Sequence, residues 1–182
     1  TKMSNIELTS EQKNIINWVK NSSGNAIVSS VAGSGKTTIG KALAAKMSCC
    51  FFDADDYHPT ANIEKMSGGQ PLTDADRLPW LNKLRELVDA HEDSKDAVLA
   101  CSALRASYRG ILGFGLPHVR SVLLDGSKTI VASRLLARTD HFMPSALLDS
   151  QFELLDREHD GLTLSIEQTP EDLVQAITQW LE

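Results

Sequence analysis

No apolar run in these 182 residues is long enough to span a bilayer, and the start of the chain lacks the charged-then-apolar pattern of a secretory signal. A cytoplasmic location with no membrane partner is the expectation. Long basic runs are also missing. With a formal net charge of −6, the broad electrostatic footprint that holds nucleic acid is absent, so any anionic substrate must be held by local cations. Cysteine is sparse: Cys49, Cys50 and Cys101 neither pair neatly nor show metal-ligand spacing, which argues for a reducing compartment and for buried thiols in strands. Repeats, low-complexity stretches and Pro- or Ser-rich linkers are lacking too. Length, an apolar fraction of 42% and a charged fraction of 23% suit one domain, 1–182, with a full core.

What the chain does have is Ser30-Val-Ala-Gly-Ser-Gly-Lys-Thr37, set between an apolar run and a helix-prone stretch. It reads as a phosphate-binding loop. A strand must end and a helix begin around the phosphates of a nucleotide, and glycines are needed where a Cβ would keep backbone N–H groups from the anion. Gly33, Ser34 and Gly35 supply that turn. Lys36 then reaches the β- and γ-phosphates of ATP, the Thr37 hydroxyl ligates the bridging Mg2+, and Thr38 is a second hydroxyl. Ser30 departs from the G-x-x-x-x-G-K-[ST] pattern, because it stands where the first glycine belongs.

Short β-rich runs alternate with helical stretches, the order of an α/β domain with a mainly parallel sheet. Strands are expected at 26–30, 49–53, 97–101, 119–124 and 162–166, a five-stranded sheet in a three-layer αβα sandwich. Helices are expected at 10–20, 36–47, 74–92, 128–138, 145–155 and 170–181, the last with Thr169 as N-cap and Pro170 in its first turn. The glycine-rich stretches 66–72 and 110–117 read as loops. Trp18, Trp80 and Trp180 fall in helices as packing residues, Trp80 alone bordering a substrate pocket.

The second strand runs into Asp53-Ala-Asp55-Asp56-Tyr-His58-Pro59. Ligands of open α/β sheets collect at the carboxyl ends of strands, which sets these carboxylates opposite the phosphate loop. A D-x-D there suits phosphoryl transfer, one carboxylate serving the magnesium shell and the other orienting an acceptor hydroxyl and taking its proton.

Four long segments, 53–62, 65–81, 100–109 and 141–151, resemble in order the bacterial-type gluconokinase family, and the resemblance runs from about Val31 to the C-terminus. It implies a P-loop kinase fold similar to shikimate kinases, with a helical lid at about 126–145, and ATP-dependent phosphorylation of D-gluconate to 6-phosphogluconate. A homodimer is expected only by that resemblance. By similarity to the D-x-D of shikimate kinases, Asp55 orients the acceptor hydroxyl and Asp53 takes the magnesium side. A linear polyhydroxy carboxylate needs a cation and several hydrogen-bonding groups, for which His58, Arg77, Arg105, Arg109 and His141 are the candidates. Arg134 and Arg138, four apart on one helix, project from one face toward the transferring phosphoryl group. Arg105 stands where the family usually has lysine, Asp140 where it usually has glycine, and 110–118 looks short.

Residues 1–35 resemble instead the entry to a superfamily 1 helicase motor domain, in which a glutamine placed like Gln12 contacts adenine. The alternative is an extra amphipathic helix with Leu8, Ile15, Ile16 and Val19 on its apolar face. A recombined chain that binds nucleotide without turning over gluconate, and a kinase for another sugar acid or a shikimate-like hydroxy acid, are the competing expectations.

Overall fold

Strand β1 (Asn25–Ser29) is buried along its whole length, as a strand covered on both faces must be. It lies at the centre of a five-stranded sheet, between β3 (Ala97–Cys101) and β4 (Val119–Asp125), with β2 (Cys50–Asp53) beyond β3 and β5 (Leu162–Ser165) beyond β4. Every pairing is parallel. The computed structural model describes residues 25–91, 96–137, 145–158 and 160–182. The helix expected at 10–20, Gln12, Arg138, Asp140 and His141 lie outside them.

Helices in chain order are α1 (Lys36–Met47), α2 (Thr60–Ser67), α3 (Asp74–Asp89), α4 (Ala106–Leu112), α5 (Lys128–Leu136), α6 (Ser145–Leu154) and α7 (Pro170–Leu181). Successive strand residues point to opposite faces, and each face has its own core. Ala26, Val28, Val98, Val122 and Leu124 pack with Leu43 of α1, Val131 of α5, Leu148 of α6 and Ile177 of α7. Ile27, Leu99 and Cys101 pack on the other side with Trp80, Leu81 and Leu84 of α3 and Tyr108 and Leu112 of α4. Three layers result, as the strand and helix order predicts.

All five expected strands are present, with ends shifted by no more than one residue. Two helices were not legible. In α2 the buried residue is Asn62, so no apolar stripe marks the helix, and α4 is seven residues long with Gly110 inside it. The stretches read as loops, 66–72 and 110–117, therefore begin inside the last turns of these helices. The thiols also differ from expectation: Cys101 is buried in β3, but Cys50 is exposed and Cys49 precedes the strand, because β2 is an edge of the sheet. No helix among the described residues is long and apolar enough to cross a membrane.

Candidate active site

The chain leaves β1 and turns into α1 through the glycine-rich loop. Gly35 is the N-cap of α1 at φ 98° and Gly33 has φ 81°, conformations that side chains with a Cβ rarely adopt. A Cβ on Gly33 would also sit 2.6 Å from Leu135 Cγ of α5. Ser30, the departure from the motif, is buried and donates its hydroxyl to the Leu124 carbonyl at 2.6 Å. The residue that replaces glycine thus fastens the start of the loop to β4. At the far end, Lys36 opens α1 and is 6% exposed, and the helix N-terminus adds its partial positive charge. On the loop itself, the Ala32 N–H donates to Gln151 Oε1 of α6 at 2.7 Å.

Opposite the loop, β2 ends at Asp53, whose two carboxylate oxygens are both engaged. Oδ2 accepts from Thr37 Oγ1 at 2.8 Å, and Oδ1 accepts from the Asp55 N–H at 3.1 Å, capping the 3-10 turn Ala54–Tyr57. One side chain therefore ties the phosphate loop to the turn that carries Asp55. From below, the indole of Trp80 donates Nε1–H to the Ala54 carbonyl at 2.7 Å and stacks on the His58 ring at 4.2 Å between centroids. Burial holds His58 below the ordinary imidazole value; Asp55 pulls it up and Arg77 pushes it down, both less strongly. The imidazole is neutral at neutral pH on that account.

Helix α3 begins with a reciprocal cap: Asp76 N–H donates to Thr73 Oγ1 at 3.2 Å and Thr73 N–H donates to Asp76 Oδ2 at 2.7 Å. Lys65 of α2 joins the same carboxylate at 2.6 Å, and these bonds hold it well below the usual range, at about 2. The cap fixes the next residue, Arg77. Its guanidinium lies over the Tyr108 ring at 5.5 Å, the residue is 7% exposed, and its Nε has no hydrogen-bond partner among the described residues. A buried cation with an unsatisfied donor costs free energy unless something else satisfies it.

These parts line one cavity of about 980 Å3. Gly33, Gly35, Lys36, Thr37 and Thr38 face Asp53, Asp55, His58 and Arg77 across it. Leu135 and Ala137 border it where α5 ends, and Ser150 and Gln151 border it from α6. Three of the expected residues go elsewhere. Arg109 is buried away from the cavity, its Nη1 donating to the carbonyls of Ala103, Leu104 and Asp156 and its Nη2 to that of Glu158, at 3.0–3.2 Å. It braces 103–104 against 156–158 and is not among the residues that line the cavity. Arg105 pairs with Asp74 at 3.2 Å on the partly exposed outer side. Arg134 donates to the carbonyls of Ser34 at 3.2 Å and Ile166 at 2.5 Å, so here it clasps the phosphate loop to the end of β5.

Comparison with known proteins agrees with this geometry. The family model described as shikimate kinase matches residues 32–181. The thermosensitive gluconokinase of Escherichia coli strain K12 is 48% identical over 132 residues, 72% of this chain and 71% of that protein. The chain belongs to the gluconokinase family. A crystal structure of a gluconokinase from Sinorhizobium meliloti 1021 superposes with a TM-score of 0.79 at 38% identity, covering 88% of this chain and 93% of that one. The probable gluconokinase of Dictyostelium discoideum aligns over 100% of both chains at 34% identity, so the N-terminal segment is within reach of a gluconokinase alignment and the helicase-like reading of 1–35 gains no support.

Trp80, expected to border the pocket, is not among the residues that line it; it carries the turn under Asp55 from behind. One contributor escaped sequence reasoning. Gln151 closes one of the four segments that carry the resemblance, yet nothing in a lone glutamine at a helix position signals that it reaches the phosphate loop. The chemistry the arrangement supports is transfer of an anionic group between a nucleotide and a hydroxyl acceptor.

Proposed function

We propose that this chain phosphorylates D-gluconate at the expense of ATP, giving 6-phosphogluconate. The observation that carries the reading is the meeting, in one cavity, of the phosphate loop, the Asp55 carboxylate and the buried Arg77, whose Nε has no hydrogen-bond partner among the described residues. An acceptor with a hydroxyl at one end and a carboxylate at the other matches such a pair of groups.

In this reading the amides of Gly33 to Thr38 and the Lys36 ammonium cradle the phosphates of the nucleotide. The Thr37 hydroxyl and the Asp53 carboxylate, already in contact, are the groups that fit a magnesium ion or its water shell. When bound, the ion neutralises charge on the β- and γ-phosphate oxygens. Asp55, held by the Asp53 cap and the Trp80 bond, orients the acceptor hydroxyl and takes its proton. Arg77 binds the substrate carboxylate, for which its planar fork is suited. His58, neutral, donates or accepts along the chain of hydroxyls. Arg138 and His141 remain candidates on the lid side. A cytoplasmic homodimer belongs to the same reading.

A second acceptor class, shikimate-like hydroxy acids, is raised by the shikimate kinase match. ADP release with a panel of D-gluconate, other sugar acids and shikimate separates them. Gluconate giving the highest kcat/KM supports the proposal, and a clear preference for another acid reassigns it.

A further inference from the structure

Gln151 makes the contact between α6 and the phosphate loop that no part of the reading above uses. Ala32 N–H is a donor and nothing else, so the amide oxygen of Gln151 must be the atom facing it at 2.7 Å. That fixes the orientation of the whole carboxamide. Its Nε2 group, two donors, has no protein acceptor among the described residues, and Gln151 lines the same cavity as Lys36 and Asp55. The helix beneath it is well anchored: Leu148 is buried in the core, and Asp149 pairs with Lys128 of α5 at 2.6 Å.

Neither of the two arginines expected to meet the transferring phosphoryl group lines the cavity among the described residues. Arg134 is engaged with two backbone carbonyls, and Arg138 lies outside them. Charge moves across the phosphoryl oxygens during transfer and must be met by donors fixed in advance.

We propose that Gln151 is a catalytic residue that uses Ala32 to aim its side-chain NH2 at an oxygen of the transferring phosphoryl group. The inference rests on the kinase reading above. The bond from Ala32 sets the direction, and the free donors stabilise charge that is larger in the transition state than in bound ATP. Such a group raises kcat more than it tightens nucleotide binding.

Two variants decide it. Gln151→Glu keeps an oxygen for the Ala32 N–H and replaces the donor with an acceptor of negative charge; Gln151→Ala removes both. The proposal expects both to lower kcat about tenfold to a thousandfold, the range for loss of one transition-state donor, with Gln151→Glu at least as impaired as Gln151→Ala. Calorimetric binding of MgADP should change less than threefold, whereas MgADP with aluminium fluoride, a mimic of the phosphoryl in flight, should bind about tenfold or more weakly. A Gln151→Glu protein with near wild-type turnover and analogue affinity would mean that the glutamine only anchors Ala32, and would overturn the assignment. Loss of MgADP binding in step with kcat overturns it as well. If wild-type protein hydrolyses ATP with no response to gluconate, the acceptor assignment falls, while analogue binding still decides the role of Gln151.

Discussion

Arg77 is the residue at which stability and function pull apart. Its buried Nε lacks a partner, a cost of about 1–3 kcal/mol, while its stacking on Tyr108 returns about 0.5–2 kcal/mol. Arg77→Met is therefore expected to leave unfolding free energy within about 1 kcal/mol of wild type and to raise KM for gluconate at least tenfold. Chemical denaturation and steady-state kinetics on the same preparation check both halves; a large stability loss with unchanged KM would assign Arg77 to the scaffold. His58 gives a pH prediction of definite sign. Its folded value is depressed, chiefly by burial, so between the folded and the ordinary value the unfolded chain binds more protons. Stability is fully present above about pH 6.5 and declines as pH falls through the folded value. Melting temperature against pH should show this slope in wild type and lose part of it in His58→Gln. Sequence named Arg105 and Arg109 first and Arg77 only as a further candidate. What separates them is packing: Arg109 lies beneath four backbone carbonyls, Arg105 faces Asp74, and Arg77 is turned over Tyr108 toward the cavity. None of that is encoded in residue type or spacing.

At the scale of elements, the phosphate loop works through its supports. Gly33 is required twice over, by its φ of 81° and by the approach of Leu135 from α5. Gly33→Ala is expected to weaken MgADP binding at least tenfold. Adding Leu135→Ala should recover part of the loss, leaving the left-handed backbone cost of about 1–2 kcal/mol. Isothermal titration of the single and double variants measures this, and unchanged affinity in Gly33→Ala would show that the loop tolerates a side chain there. This loop and the D-x-D turn were legible because each is a local pattern in which chemistry dictates residue type. The ties between elements were not: Ser30 to β4, Asp53 to Thr37, Trp80 to Ala54 and Gln151 to Ala32 join positions between 16 and 119 residues apart. Helices α2 and α4 were missed on other grounds: α2 buries Asn62 rather than an apolar stripe, and α4 is only seven residues long with Gly110 inside it.

Across the whole molecule, the order β2-β3-β1-β4-β5 puts the two strands that carry the reacting groups on either side of β3. The carboxyl ends of β1 and β2 then open a cleft between them, with the loop on one wall and the acidic turn on the other. Two apolar cores, one per face, fix this spacing and leave the carboxyl edge of the sheet free for binding. The strand pattern alone anticipated this architecture, because alternating apolar runs and helical periods leave few other ways to bury both sheet faces. The acceptor is the part that architecture leaves open, since shikimate kinases use the same frame. The most direct test is ADP release from MgATP in a coupled assay with and without D-gluconate, for wild type and Asp55→Asn. Gluconate-stimulated turnover in wild type, lowered about a hundredfold or more in Asp55→Asn with MgADP binding retained, is the predicted result. Nucleotide binding with no response to gluconate, or an Asp55→Asn protein as active as wild type, would contradict it.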